Sequence, residues 1–99
     1  MANSIHEFDD DKRNANILIY INGELKPRNE AMVSVFDSGF VLGDGVWEGM
    51  RIHDGHPAFM DQHLDRLYEG AKAIAMNIGL DRDALTHAIY QTLAANDMK

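Results

Sequence analysis

Apolar residues recur along this chain first in alternation and then at helical spacing, and the change of period divides it into a strand-rich first half and a helical second half. The run Ile17-Leu18-Ile19-Tyr20-Ile21 is rich in β-branched side chains and closes on Asn22-Gly23, the dipeptide best suited to a two-residue hairpin turn. A return strand over Glu24 to Lys26 follows, and Pro27, with no backbone N–H to offer a ladder, ends it or marks an edge. Val33-Ser34-Val35-Phe36 predicts another short strand before the Asp37-Ser38-Gly39 turn, and Val46 to His53 predicts a longer one. Strand side chains alternate, so Trp47, Gly49 and Arg51 share one face while Val46, Glu48, Met50 and Ile52 share the other. An indole, an absent side chain and a guanidinium make a poor core layer but a serviceable pocket wall. Asp54-Gly55 then turns the chain into His56 to Met60.

Beyond that point the period becomes helical. Asp61 is positioned to cap a helix whose Leu64, Leu67, Tyr68, Ala71, Ile74 and Ala75 form one stripe, ending near Asn77 to Gly79. Asp81 can cap a second helix with Leu85, Ala88, Ile89, Thr92 and Leu93 as the facing stripe. Strands first and helices after predict an α+β class, with two helices packed on one face of an antiparallel sheet.

Composition narrows the partners. The 99 residues suffice for one modest core, and with 45% hydrophobic and 25% charged residues the chain reads as globular rather than disordered. A formal charge of −7 argues against holding nucleic acid by bulk charge. Without cysteine, neither a disulfide framework, a thiolate metal site nor a Cys nucleophile is available. No apolar run reaches the roughly 18 residues of a membrane helix, and the first residues lack a signal-peptide pattern. A cytoplasmic protein with no membrane partner is therefore expected, and residues 1–16, crowded with Asp9, Asp10 and Asp11, read as a flexible acidic leader.

Candidate chemistry is sparse when read from residue types alone. His53, His56 and His63 lie near one another in sequence, yet no metal-ligand spacing accompanies them, so they read as surface residues and no metal is expected. Gly43-Asp44-Gly45 lacks the further glycine of a dinucleotide loop and precedes a strand, so by itself it is a tight turn. Arg66 interrupts the first helix between Leu64 and Leu67 and has two readings: a salt bridge to a surface carboxylate, the commoner case, or an anion ligand of the kind a guanidinium fork suits. Arg51 poses the same choice, and Trp47 is either a core aromatic or part of a pocket.

Taken together, Val35-Phe36-Asp37-Ser38-Gly39-Phe40, Gly43-Asp44-Gly45-Val46-Trp47-Glu48-Gly49-Met50-Arg51 and His63-Leu64-Asp65-Arg66-Leu67 resemble the class IV aminotransferases, the fold-type IV enzymes that use pyridoxal 5′-phosphate. The resemblance runs from about Ile17 to the last residue. It implies that residues 17–99 are the small N-terminal domain of a two-domain homodimeric enzyme whose C-terminal catalytic domain is absent from this chain. It further implies that Arg66 binds the cofactor phosphate, and that Trp47, Gly49, Arg51 and the position held by Leu42 line the pocket for an amino donor and a 2-oxo acid. Arg66 and Trp47 are thus expected to border one cavity. Leu42 stands where branched-chain enzymes carry a Tyr; Gly43-Asp44-Gly45-Val46 is nearer the D-amino-acid branch and Glu48-Gly49-Met50-Arg51 nearer the branched-chain one, with aminodeoxychorismate lyases also in range. The family's catalytic lysine belongs to the second domain, and none of Lys12, Lys26, Lys72 and Lys99 is a credible substitute, so the chain alone is expected to be inactive. The rival reading is a non-catalytic interaction domain that uses the Phe40 to Gly45 loop and the acidic leader.

Overall fold

The Asn22-Gly23 turn does what its chemistry demands in the computed structural model, which describes residues 12–99. Both turn residues take positive φ, 49° and 89°, the paired left-handed geometry that matches strand twist. They join β1 (Leu18–Ile21) to β2 (Glu24–Pro27) in antiparallel register, Leu18 opposite Pro27 and Ile21 opposite Glu24. This hairpin belongs to the first of two compact units, Met1–Met32 and Val33–Lys99. Most of the expected leader, residues 1–11, lies outside the described residues; Lys12–Asn14 forms a single 3-10 turn.

In the second unit the expected strand at Val33 to Phe36 is replaced by a turn. The Ser34 hydroxyl accepts from the Phe36 N–H at 3.0 Å and the Ser34 carbonyl from Asp37 N–H at 3.1 Å, bonds that an extended backbone could not make. Asp37 then caps the short helix α1 (Ser38–Val41), its carboxylate accepting from Gly39 N–H at 2.8 Å. The strand expected over Val46 to His53 contributes only β3 (Ile52–His53), paired antiparallel with β4 (His56–Pro57) through Asp54-Gly55, both at positive φ. Among the described residues, positions 43–51 pair with no strand. The α+β class holds, but the antiparallel pairing takes the form of two separate two-stranded hairpins in different units rather than one sheet beneath both helices.

Helix α2 (Met60–Ala73) begins after Phe59, which sits in the left-handed region at φ 55° and reverses the chain directly out of the hairpin; Asp61, expected as the cap, lies instead in the first turn, where a carboxylate suits the helix dipole. Helix α3 (Arg82–Ala95) starts as expected, with Asp81 accepting from Ala84 N–H at 2.7 Å. The core is small: Leu64 and Ala71 from α2, Ala88 and Leu93 from α3, all from the expected stripes. Arg82 fastens α3 to α2, donating to Asp65 at 2.5 Å and to the Asp61 carbonyl at 2.9 Å, and the Tyr68 hydroxyl donates to the Leu80 carbonyl at 2.8 Å. His56 of β4 meets the Tyr90 hydroxyl of α3 at 3.0 Å.

Helix α2 stops at Ala73, several residues before the expected end, because Ala75 turns left-handed at φ 57° and closes a double cap: Ala75 N–H to Lys72 C=O at 3.1 Å and Met76 N–H to Ala71 C=O at 2.8 Å. Glycine is the usual occupant of that position, since a Cβ is strained there. Ala75→Gly is therefore expected to raise stability, by about 0.5–1 kcal/mol in urea unfolding followed by helical circular dichroism. Leu64 is only 1% exposed, and in so small a core Leu64→Ala is expected to cost about 3 kcal/mol in the same measurement.

Candidate functional site

Residues 46–51 lack a strand partner, yet as far as Ile52 in β3 the segment keeps the alternation its sequence predicts: Val46, Glu48, Met50 and Ile52 are half-buried while Trp47, Gly49 and Arg51 are exposed. The inner side lies against α2. Val46 Cγ1 is 3.4 Å from where a Cβ on Gly70 would stand, so this helical glycine leaves room for the segment to approach. Two residues further on, Glu48 meets the polar face of the helix. Its Oε1 lies 2.5 Å from His63 Nδ1 and 2.8 Å from Arg66 Nη2, and those two nitrogens are themselves 3.0 Å apart.

A lone pair on Nδ1 facing a carboxylate oxygen at 2.5 Å would be repulsive, so the imidazole carries its proton on Nδ1 and donates it to Glu48. His63 and Arg66, one turn apart on α2, thus both donate to one oxygen. The bond from His63, with that from Arg66 added, holds the Glu48 carboxyl below its ordinary value of 4.5. The side chains of Glu48 and His63 are 17% and 16% exposed, whereas that of Arg66 is 63% exposed. Among the described residues the guanidinium has no partner other than Glu48 and the nearby His63 ring.

The residues singled out from sequence fall into two groups. Arg66 joins Glu48 and His63. Trp47, 84% exposed, stands on the outward side of the extended segment, its ring 3.7 Å from where a Cβ on Gly49 would sit, and Arg51 shares that side. Leu42 ends α1, its N–H on the Ser38 carbonyl at 2.9 Å, with its side chain exposed. No hydrogen bond or ion pair among the described residues joins Trp47, Gly49 or Arg51 to Arg66. A cleft of about 540 Å³ beside Ile17, Leu18 and Pro27 and another of about 440 Å³ beside Tyr68, Met76 and Ile78 are lined by none of the five. Sequence reasoning passed over Glu48 and read His63 as solvated. The available signal was a carboxylate on the inward face of an otherwise apolar alternation, a position that requires a cationic or hydrogen-bonding partner.

Residues 45–99, the segment containing all three members of this cluster, match the Amino-transferase class IV family. A branched-chain-amino-acid aminotransferase-like protein of Arabidopsis thaliana is 46% identical over 85 residues, 86% of this chain and 15% of its own length. A putative branched-chain-amino-acid aminotransferase of Methanocaldococcus jannaschii is 40% identical over 81 residues, 82% of this chain and 28% of its own. A D-alanine aminotransferase of Staphylococcus haemolyticus is 33% identical over 81 residues, 82% of this chain and 29% of its own. The chain therefore spans less than a third of the length of these relatives.

The depressed Glu48 carboxyl makes the tie to α2 acid-sensitive. A group whose folded pKa lies below its unfolded one stabilises the fold above the unfolded value, and that contribution is lost as pH falls through the folded value. The difference in unfolding free energy between the wild-type chain and Glu48→Gln is expected to stay constant above about pH 5.5 and to shrink below the ordinary 4.5. Parallel pH profiles for the two proteins would show that Glu48 does not titrate with folding.

Proposed function

This chain belongs to the class IV aminotransferases, and on that premise we propose that it is the phosphate-holding small domain of a pyridoxal-phosphate-dependent transaminase, which moves an amino group between an amino acid or amine and a 2-oxo acid. The supporting observation is Arg66: an exposed guanidinium, tethered through one nitrogen, in the helix that the family match covers. Its donors fit a phosphate. A guanidinium has two hydrogen-bonding forks, Nε with Nη2 and Nη1 with Nη2, each using a different Nη2 hydrogen. The single hydrogen taken by Glu48 leaves one fork whole, and such a fork matches two phosphate oxygens.

Pyridoxal phosphate, when bound, supplies an electron sink for the bond-breaking at the amino donor. Arg66 fixes the phosphate end and so sets where the ring can lie. Trp47, Gly49 and Arg51, on the outward side of the extended segment, with Leu42 at the end of α1, are read as the substrate side: Trp47 as a wall, Gly49 as space beside the indole and Arg51 as the donor for a substrate carboxylate. We place the lysine that holds the cofactor and carries the proton outside this chain, in the remainder of a two-domain cytoplasmic homodimer, so the 99 residues alone do not transaminate.

In the intact enzyme carrying this chain, Arg66→Ala is expected to weaken pyridoxal phosphate retention by 10- to 100-fold, about the 1.5–3 kcal/mol of a charge-assisted bond. The same substitution should leave the affinity for unphosphorylated pyridoxal nearly unchanged. Equal loss for both ligands would remove Arg66 from the phosphate site.

A further inference from the structure

If Arg66 is the phosphate ligand, as the preceding reading has it, then what sets its orientation matters as much as its charge. A long, exposed arginine samples many rotamers, and each side chain immobilised on binding lowers the affinity. Here the guanidinium is already tethered. The tether is the oxygen that also holds His63, and it comes from a carboxylate well shielded from water on the inner side of the 46–52 segment.

We propose that Glu48 is a positioning residue of the phosphate site: through one carboxylate oxygen it fixes the Nδ1–H tautomer of His63 and pins Arg66 by Nη2, presenting the free guanidinium fork to an incoming phosphate monoester. The arrangement is a trade. A carboxylate beside the anion site repels the ligand and cancels the charge of Arg66, so as a bystander it would only weaken binding. Its value lies in preorganisation, and the two effects have opposite signs. The His63 ring adds a second consequence. With Glu48 removed, Nδ1 loses the acceptor that held its proton, and Arg66 Nη2, 3.0 Å from it in the wild type, is a donor only, so nothing then favours the Nδ1–H form and the proton is expected at Nε2.

The test uses the 99-residue chain and its Glu48→Ala and Glu48→Gln variants, each first shown to be helical by circular dichroism. Long-range 15N–1H spectra are expected to show His63 protonated at Nδ1 in the wild type and at Nε2 in Glu48→Ala. Titration with inorganic phosphate, followed at the Arg66 side-chain nitrogens, is expected to show affinity falling about fivefold or more in Glu48→Ala, with Glu48→Gln, which keeps a carbonyl acceptor, in between. An unchanged tautomer, or phosphate binding as tight or tighter in Glu48→Ala, overturns the proposal. Failure of the underlying reading looks different: Arg66→Ala would then bind phosphate as well as the wild type. Should the wild-type chain take up too little phosphate to measure, the comparison moves to pyridoxal phosphate retention in the intact enzyme, where Glu48→Ala retaining the cofactor as tightly as the wild type overturns the proposal.

Discussion

One carboxylate oxygen joins the two halves of the second unit's polar architecture. Residues 46–51 pair with no strand among the described residues, so most of the ladder hydrogen bonds that usually hold extended chain in place are missing until the Arg51 carbonyl accepts from Ala58 N–H at 2.7 Å and Ile52 enters β3. What holds the segment to α2 is the contact of Val46 beside Gly70 and the convergence of His63 and Arg66 on Glu48 Oε1. Once Glu48 faces the helix, alternation leaves no freedom to its neighbours: Trp47 and Gly49 must face away. The separation of Arg66 from the outward side that carries Trp47 and Arg51 therefore follows from the orientation of a single residue.

Two arginines near α2, Arg66 and Arg82, differ in how many of their donors are committed. Arg82 reaches Asp65 and Asp61 and the Asp61 carbonyl; its guanidinium pKa is raised by the hydrogen bond to Asp65, and its side chain is 41% exposed. Both of its terminal nitrogens are committed to joining α3 to α2. Arg66 has one carboxylate, shared with His63, and stands further into solvent. Charge alone does not separate the two residues, since both are paired. The number of donors left over does.

Where local chemistry decides the backbone, the sequence was readable. Asn22-Gly23 and Asp54-Gly55 make the turns their residue types require, Asp81 caps α3, and the α2 and α3 stripes contain all four core residues. The inward and outward sets of residues 46–52 also came from alternation, although no ladder forms around most of them. What escaped depends on competition between local bonds. Ser34 satisfies two N–H groups by turning, against the β-branched preference of Val33 and Val35; Ala75 adopts a conformation that composition would assign to Gly79; and Phe59, rather than Asp61, takes the position before α2. For the site, Arg66 was visible as a misplaced charge, while Glu48 gained meaning only when the extended segment was laid against the helix.

Val33, Val35, Phe36, Phe40, Val41, Leu42 and Trp47 are each more than half exposed, on a molecule carrying seven excess negative charges. These two properties act over different distances. Like charges keep copies apart across a Debye length, about 10 Å at 0.1 M salt, whereas apolar attraction operates at contact. The colloidal behaviour of the chain is therefore governed by the buffer: dilute salt keeps it dispersed, and sulfate, which both screens the charge and strengthens apolar association, drives it out of solution or onto a phenyl matrix.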